Sequence, residues 1–178
     1  MISRLFGHRI VDQVPALRRY ARSLTRDETA ADDLVHDALL RACERHKSFR
    51  PGASLRAWLM SIVHNSFIDS LRREASQKRR IEGAALVAAT VDPGGQEAAV
   101  RLAAVARAFN ALPDEQRAVL HLVAIEGLSY AEAAVALDVP VGTIMSRLSR
   151  ARAALRAGET LPAPVTRLRA VGDPDAQA

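Results

Sequence analysis

Apolar residues return every three or four positions from residue 10 onward, the period of helices with one buried stripe. Val14, Leu17 and Ala21 share such a stripe and predict a first helix over 10–24. Leu34, Val35, Ala38, Leu39 and Ala42 predict a second, and Thr29 followed by Asp32 has the spacing of a capping box at its start. Pro51 and Gly52 then break the period, and Ser54 is placed to cap the next helix. Leu55, Leu59, Ile62, Val63, Ser66, Phe67 and Leu71 predict this third and longest helix over 55–80, with Trp58 beside the stripe.

Residues 83–95 carry no charge but Asp92 and end in Pro-Gly-Gly, which reads as an interdomain linker. Helical periodicity resumes over 96–112. Pro113 opens a further helix whose first turn holds Asp114 and Glu115, where the helix dipole favours negative charge. Ser129 with Glu132 forms a second capping box at the head of a short helix, 129–137. Residues 138–140 are a turn, and a last helix runs from Val141 to about Ala157. The remainder shows no sustained period and reads as a mobile tail. The pattern therefore predicts an all-α chain of two small helical domains, 10–82 and 96–158, joined by a flexible linker at 83–95 and ending in a tail, 159–178. The second domain has the helix, three-residue turn and helix of a helix-turn-helix.

Composition narrows the class. Aromatic residues are only 4% of the chain against 49% hydrophobic residues overall, so the cores are aliphatic. One cysteine, Cys43, excludes an intramolecular disulfide framework and fits a reducing, cytoplasmic setting. The start lacks a secretory pattern and no apolar run is long enough for membrane insertion. His36, Cys43 and His46 share one predicted helix, but His36 and Cys43 stand about 10.5 Å apart in rise, too far to hold one ion. A buried thiol and surface histidines are the simpler reading. No metal, cofactor or catalytic motif is predicted.

The net charge of +5 is unevenly distributed. Between 111 and 140, Arg117 stands against Asp114, Glu115, Glu126, Glu132 and Asp138, whereas 141–158 holds Arg147, Arg150, Arg152 and Arg156 with no acid. At 100° per residue, Ile144, Leu148, Ala151 and Leu155 form the inward stripe of that last helix. Gly142, Ser146, Ser149, Arg150 and Ala153 fall opposite, flanked by Arg147 and Arg152. Small outer residues permit close approach to a duplex. Arg150 is placed for a guanine edge, Arg147 and Arg152 for phosphates. The plainer reading, arginines solvating an exposed helix end, accounts for neither the turn, the capping box nor the angular sorting.

Three stretches together carry a family resemblance: "DDLVHDALLRACER", "RAWLMSIVHNSFIDSLRRE" and "LPDEQRAVLHLVAIEGLSYAEAAVALDVPVGTIMSRLSRAR". In this order they resemble the extracytoplasmic-function (ECF) class of bacterial sigma factors, over about Val11 to Leu155, with features of the alphaproteobacterial general-stress group. The resemblance implies a subunit that binds core RNA polymerase, recognises the promoter minus-ten and minus-thirty-five elements and assists strand opening, under anti-sigma control. It assigns Asn65, Asp69, Arg72, Arg73, Lys78, Arg79 and Arg80 to single-stranded minus-ten DNA. The loop 46–54 would accept a flipped base, whose capture offsets a few kcal/mol of unstacking. Thr143, Met145, Ser146, Arg147, Ser149, Arg150 and Arg152 would face the duplex minus-thirty-five element. Asp33, Asp37, Leu40, Arg41 and Glu44 would face the polymerase.

Two positions depart from the family pattern. Met145 stands where many relatives carry lysine or arginine, which suits an apolar contact with a thymine methyl. Asp138 replaces a common turn glycine, a substitution that left-handed backbone tolerates. Two other functions compete: a sigma-like decoy that sequesters an anti-sigma factor, and a stand-alone helix-turn-helix repressor. The decoys of this family carry an attached receiver domain, for which the chain has no room. A repressor would not need the first domain.

Overall fold

The computed structural model describes residues 9–50, 52–78 and 97–160, and every regular element among them is helical. Residues 9–11 form a helical turn, and α1 proper is Val14–Thr25. The predicted helix is broken at 12–13 because Pro15, in the first turn of α1, lacks an N–H and restricts Val14. Helix α2, Glu28–Glu44, starts earlier than the Thr29–Asp32 capping box would place it. Asp27, in extended backbone, is the actual cap, and its carboxylate accepts the Ala30 N–H at 2.7 Å. A short 3-10 turn, His46–Ser48, leads to α3, Leu55–Lys78. Ser54 caps α3 by accepting the Ala57 N–H at 3.2 Å.

Helix α4 is Glu97–Ala111, and α5, Asp114–Leu120, continues into a wider π turn at His121–Ile125. Helix α6 is Tyr130–Leu137, and α7 runs Val141–Thr160, past Gly158, where the sequence pattern ends it. The predicted capping box is present, with Ser129 and Glu132 bonding reciprocally. Asp138 takes the left-handed conformation at φ 52°. The linker 83–95, Arg79, Arg80 and the tail from 161 lie outside the described residues.

Helices α1, α2 and α3 pack together around Leu17, Tyr20, Leu34, Val35, Leu59, Met60 and Val63. Each such side chain contributes roughly 1.5–3 kcal/mol on leaving water. Of the stripe predicted for α3, only Leu71 is exposed. Helices α4, α5 and α6 pack on α7, whose predicted inward residues Ile144, Leu148 and Ala151 are buried. The two groups also pack on each other: α6 lies against α3, and α5 with its π turn lies against α1. No described helix is long and apolar enough to cross a membrane.

Candidate nucleic-acid and polymerase interfaces

The capping box fixes where α6 begins, and Asp138 turns the chain so that α7 leaves at a set angle. The apolar stripe of α7 then holds the opposite face outward. Gly142, Ser146, Ser149, Arg150, Arg152 and Ala153 are exposed, as the angular division predicts; Met145 is exposed as well, and Thr143 is half-buried. Arg150 Nε–H donates to the Ser146 carbonyl at 3.3 Å, which steadies its stem on that face. Arg147 is placed differently: its guanidinium is 2.5 Å from Glu115, and its side chain is only 18% exposed.

On α3, Asn65, Arg72 and Arg73 are exposed and Asp69 is half-buried. Asp69 accepts from Arg41 of α2 at 3.0 Å, so one residue expected at DNA is tied to one expected at polymerase. Arg73 Nε–H donates to the Asp69 carbonyl at 3.3 Å, one turn back. Lys78 closes α3, with Arg79 and Arg80 beyond the described residues. The loop before α3 is anchored by Phe49, whose ring centroid lies 5.4 Å from that of Trp58. On α2, Asp33, Asp37, Leu40 and Glu44 are exposed, with Leu40 at 53%, and Asp33 and Asp37 line a cleft that Asp114 of the second domain also borders. Cys43 is exposed, against the expectation of a buried thiol, because it lies one position beyond the stripe residue Ala42, which is buried. No group of side chains suited to a metal occurs among the described residues.

A second constellation, at the junction of the domains, was not read from the sequence. Glu126 has a fully buried side chain. It accepts two hydrogen bonds from Arg19 of α1, at 3.1 and 3.0 Å, and lies 3.8 Å from Arg56 of α3. Arg56 also donates to the Glu126 carbonyl at 3.1 Å. His121 Nε2 donates to the Glu126 carboxylate at 3.3 Å, which leaves His121 Nδ1 buried without a partner. The π turn and the left-handed Gly127, at φ 70°, carry Glu126 back into this seam.

Beside it, Arg117 is wholly buried and caps the C-terminal end of α1 from the other domain. It donates to the carbonyls of Ser23 and Leu24, to Leu112 at 2.8 Å, and to Asp114 at 2.6 Å. Tyr20 is buried between His64, whose Nδ1 is hydrogen-bonded to its hydroxyl at 3.0 Å, and His121, 5.4 Å between ring centroids. Burial raises the Tyr20 pKa. It also lowers His64 to about 4, with nearby Arg147 adding to the effect and Glu115 opposing it. The only signals in the sequence were charged residues inside apolar runs, Arg117 in "QRAVL" and Glu126 in "VAIEGL". Their partners lie about a hundred positions away.

A three-helix unit with an acidic face and a polar strip, followed by a helix-turn-helix with a basic outer face, is the build of a two-domain transcription protein. Residues 10–64 match the family described as "Sigma2 domain of PhyR", and residues 102–155 match "Sigma-70, region 4". The chain is 39% identical over 148 residues to the ECF RNA polymerase sigma factor EcfG of Rhodopseudomonas palustris (strain TIE-1), covering 83% of this chain and 81% of that one. It is 42% identical over 141 residues to the ECF sigma factor SigM of Mycobacterium tuberculosis (strain ATCC 25618 / H37Rv), covering 78% and 69%. The sigma factor RpoE of Bartonella quintana, solved in complex with the anti-sigma factor NepR, is similar at 33% identity and a TM-score of 0.75, over 86% of this chain and 95% of that one. The chain belongs to the ECF RNA polymerase sigma factor family, close to the EcfG and RpoE general-stress group.

Proposed function

We propose that this chain is a promoter-specificity subunit: it binds core RNA polymerase through α2, holds the minus-ten element on α3, reads the minus-thirty-five element with α7, and acts by binding without catalysis. The observation that supports the reading is that one chain of this family presents two separate polar sets, Asn65 with Arg72 on α3 and Ser146 with Arg150 on α7, both exposed. Asp33, Asp37, Leu40 and Glu44 offer an acidic and apolar strip to the polymerase, with Arg41 braced on Asp69 beside it. An anti-sigma factor is the expected inhibitor, as the NepR complex of the similar RpoE suggests.

A second reading, a decoy that occupies an anti-sigma factor and never initiates, is favoured by the match of the first domain to the sigma2 domain of PhyR. Run-off transcription with sigma-free core polymerase on a library of host promoter fragments separates the two. Initiation at a defined subset is the expected result. Stable anti-sigma binding with no transcript from any fragment would favour the decoy.

A further inference from the structure

The two domains are in contact along a seam, and the contact is not incidental. A carboxylate with no exposed surface, Glu126 of the second domain, is neutralised by Arg19 and approached by Arg56, both of the first. Reciprocally, buried Arg117 of the second domain satisfies the carbonyls of Ser23 and Leu24 at the end of α1. Charged groups of this kind are costly to bury unless paired, so Glu126 is an ionic requirement of the second domain that the first meets, while Arg117, paired with Asp114 in its own domain, satisfies backbone carbonyls of the first.

Such a body cannot occupy both promoter elements. Elements centred 10 and 35 base pairs upstream of a start site lie roughly 85 Å apart along a duplex, at about 3.4 Å per base pair. A compact body of about 130 residues has a radius of gyration of about 14 Å, hence a diameter of roughly 36 Å. Residues 79–96, at about 3.4 Å each, can span roughly 60 Å, enough for the domains to part.

We propose that the free chain is self-closed, with Glu126 held by Arg19 and Arg56 as an electrostatic latch between the domains, so that promoter engagement requires the latch to open. This rests on the sigma-factor reading for its consequence, but the latch is a property of the chain alone. Closure hides more than the latch. Arg147, on the flank of the DNA-reading helix, borders a cavity of about 170 Å³ lined also by His64, Phe67 and Ile68 of α3. Ser54, at the end of the loop expected to take a flipped base, lies beside Glu132 at the head of α6 and helps lower its pKa, after the larger effect of its bonds from Ser129. Opening uncovers both from the other domain, and Arg147 keeps its partner Glu115 within its own.

The latch has a distinctive signature. Arg19→Ala leaves the Glu126 charge buried with less compensation, whereas opening hydrates it, so the closed form loses. Arg19 is itself about half exposed, so the first domain tolerates its truncation. Adding Glu126→Gln to Arg19→Ala removes the unpaired charge and restores closure. A contact that merely added packing would not be rescued by a second deletion.

The test is a spin-label distance measurement on the full-length free chain, using exposed Cys43 and Ala154→Cys as label sites. The unsubstituted latch is expected to give a dominant short distance. Arg19→Ala should lower the ratio of closed to open molecules roughly tenfold or more, the scale for truncating one partner of a buried charge pair. The double variant should return most of it, with helix content by circular dichroism constant throughout. A broad long-distance distribution in the starting chain, an unchanged distribution in Arg19→Ala, or no rescue would each overturn the latch. Run-off transcription judges the other reading separately. A working latch without transcripts indicts the sigma assignment, and transcripts without a latch indict self-closure.

Discussion

Arg150 and Arg147 stand three residues apart on α7 and have different surroundings. Arg150 is exposed on the outer face, with its stem held by the Ser146 carbonyl. Its fork suits a guanine edge, and loss of one such contact removes roughly 1–3 kcal/mol at the preferred sequence only. Arg150→Ala is therefore expected to weaken holoenzyme binding at matched promoters and to flatten discrimination among variant duplexes, measured by fluorescence anisotropy. Arg147 sits at the seam against Glu115 and must leave it to reach a phosphate. Arg147→Ala should weaken every duplex nearly equally and reduce the salt slope by about one. Equal losses across all sequences for both variants would sink the assignment. The exposure of Arg150 followed from its angle on the helix. The engagement of Arg147 did not, because Glu115 belongs to another helix and the angle fixes only a direction.

Among the elements, α6 shows how little sequence is needed to place a reading head. The Ser129–Glu132 box defines its first turn, and after eight helical residues Asp138 ends it in left-handed backbone. Both were visible because they act within four residues of themselves. Ser129→Ala is expected to cost about 1 kcal/mol, the usual worth of such a cap, read as a lower midpoint in urea at unchanged slope. Glu132 is held below the usual carboxylate range chiefly by bonds from the Ser129 backbone N–H and hydroxyl. Its contribution to α6 is thus present above the ordinary glutamate pKa and lost as the pH falls through the depressed one. The start of α2 is the contrary case. Two residues of suitable type, Asp27 and Thr29, competed for the cap, and Asp27 holds it in extended backbone.

For the whole molecule, closure is linked to protons. His64 faces Tyr20 on its own domain and Arg147 and Glu115 on the other, and in the closed body its pKa is about 4. Separation removes Arg147 and part of the burial, so the value moves back toward 6.5 and proton uptake accompanies opening. His121, facing Glu126, Arg19 and Tyr20, is also lowered, by burial against the opposing pull of Glu126. The closed form therefore keeps its full histidine contribution above about pH 6.5 and loses it as the pH falls toward about 4, with an upper bound of about 3 kcal/mol for His64. Lowering the pH from about 7.5 to about 5.5 should lengthen the interdomain distance of the free chain, and His64→Gln should flatten that response. A pH-independent distance in the starting chain would refute the linkage.

The order of helices, their inward stripes, the helix-turn-helix and its basic face were determined by the sequence itself, through interactions within a few residues: apolar period, proline, caps and charge along one helix. What only the tertiary structure decided is the junction. Glu126 and Arg19 are 107 positions apart, and Arg117 finds the carbonyls of Ser23 and Leu24 over a comparable distance. In the chain each appears as one more charged residue. Their pairing depends on how two separately formed cores meet, and electrostatic partners brought together by packing leave no local pattern to read.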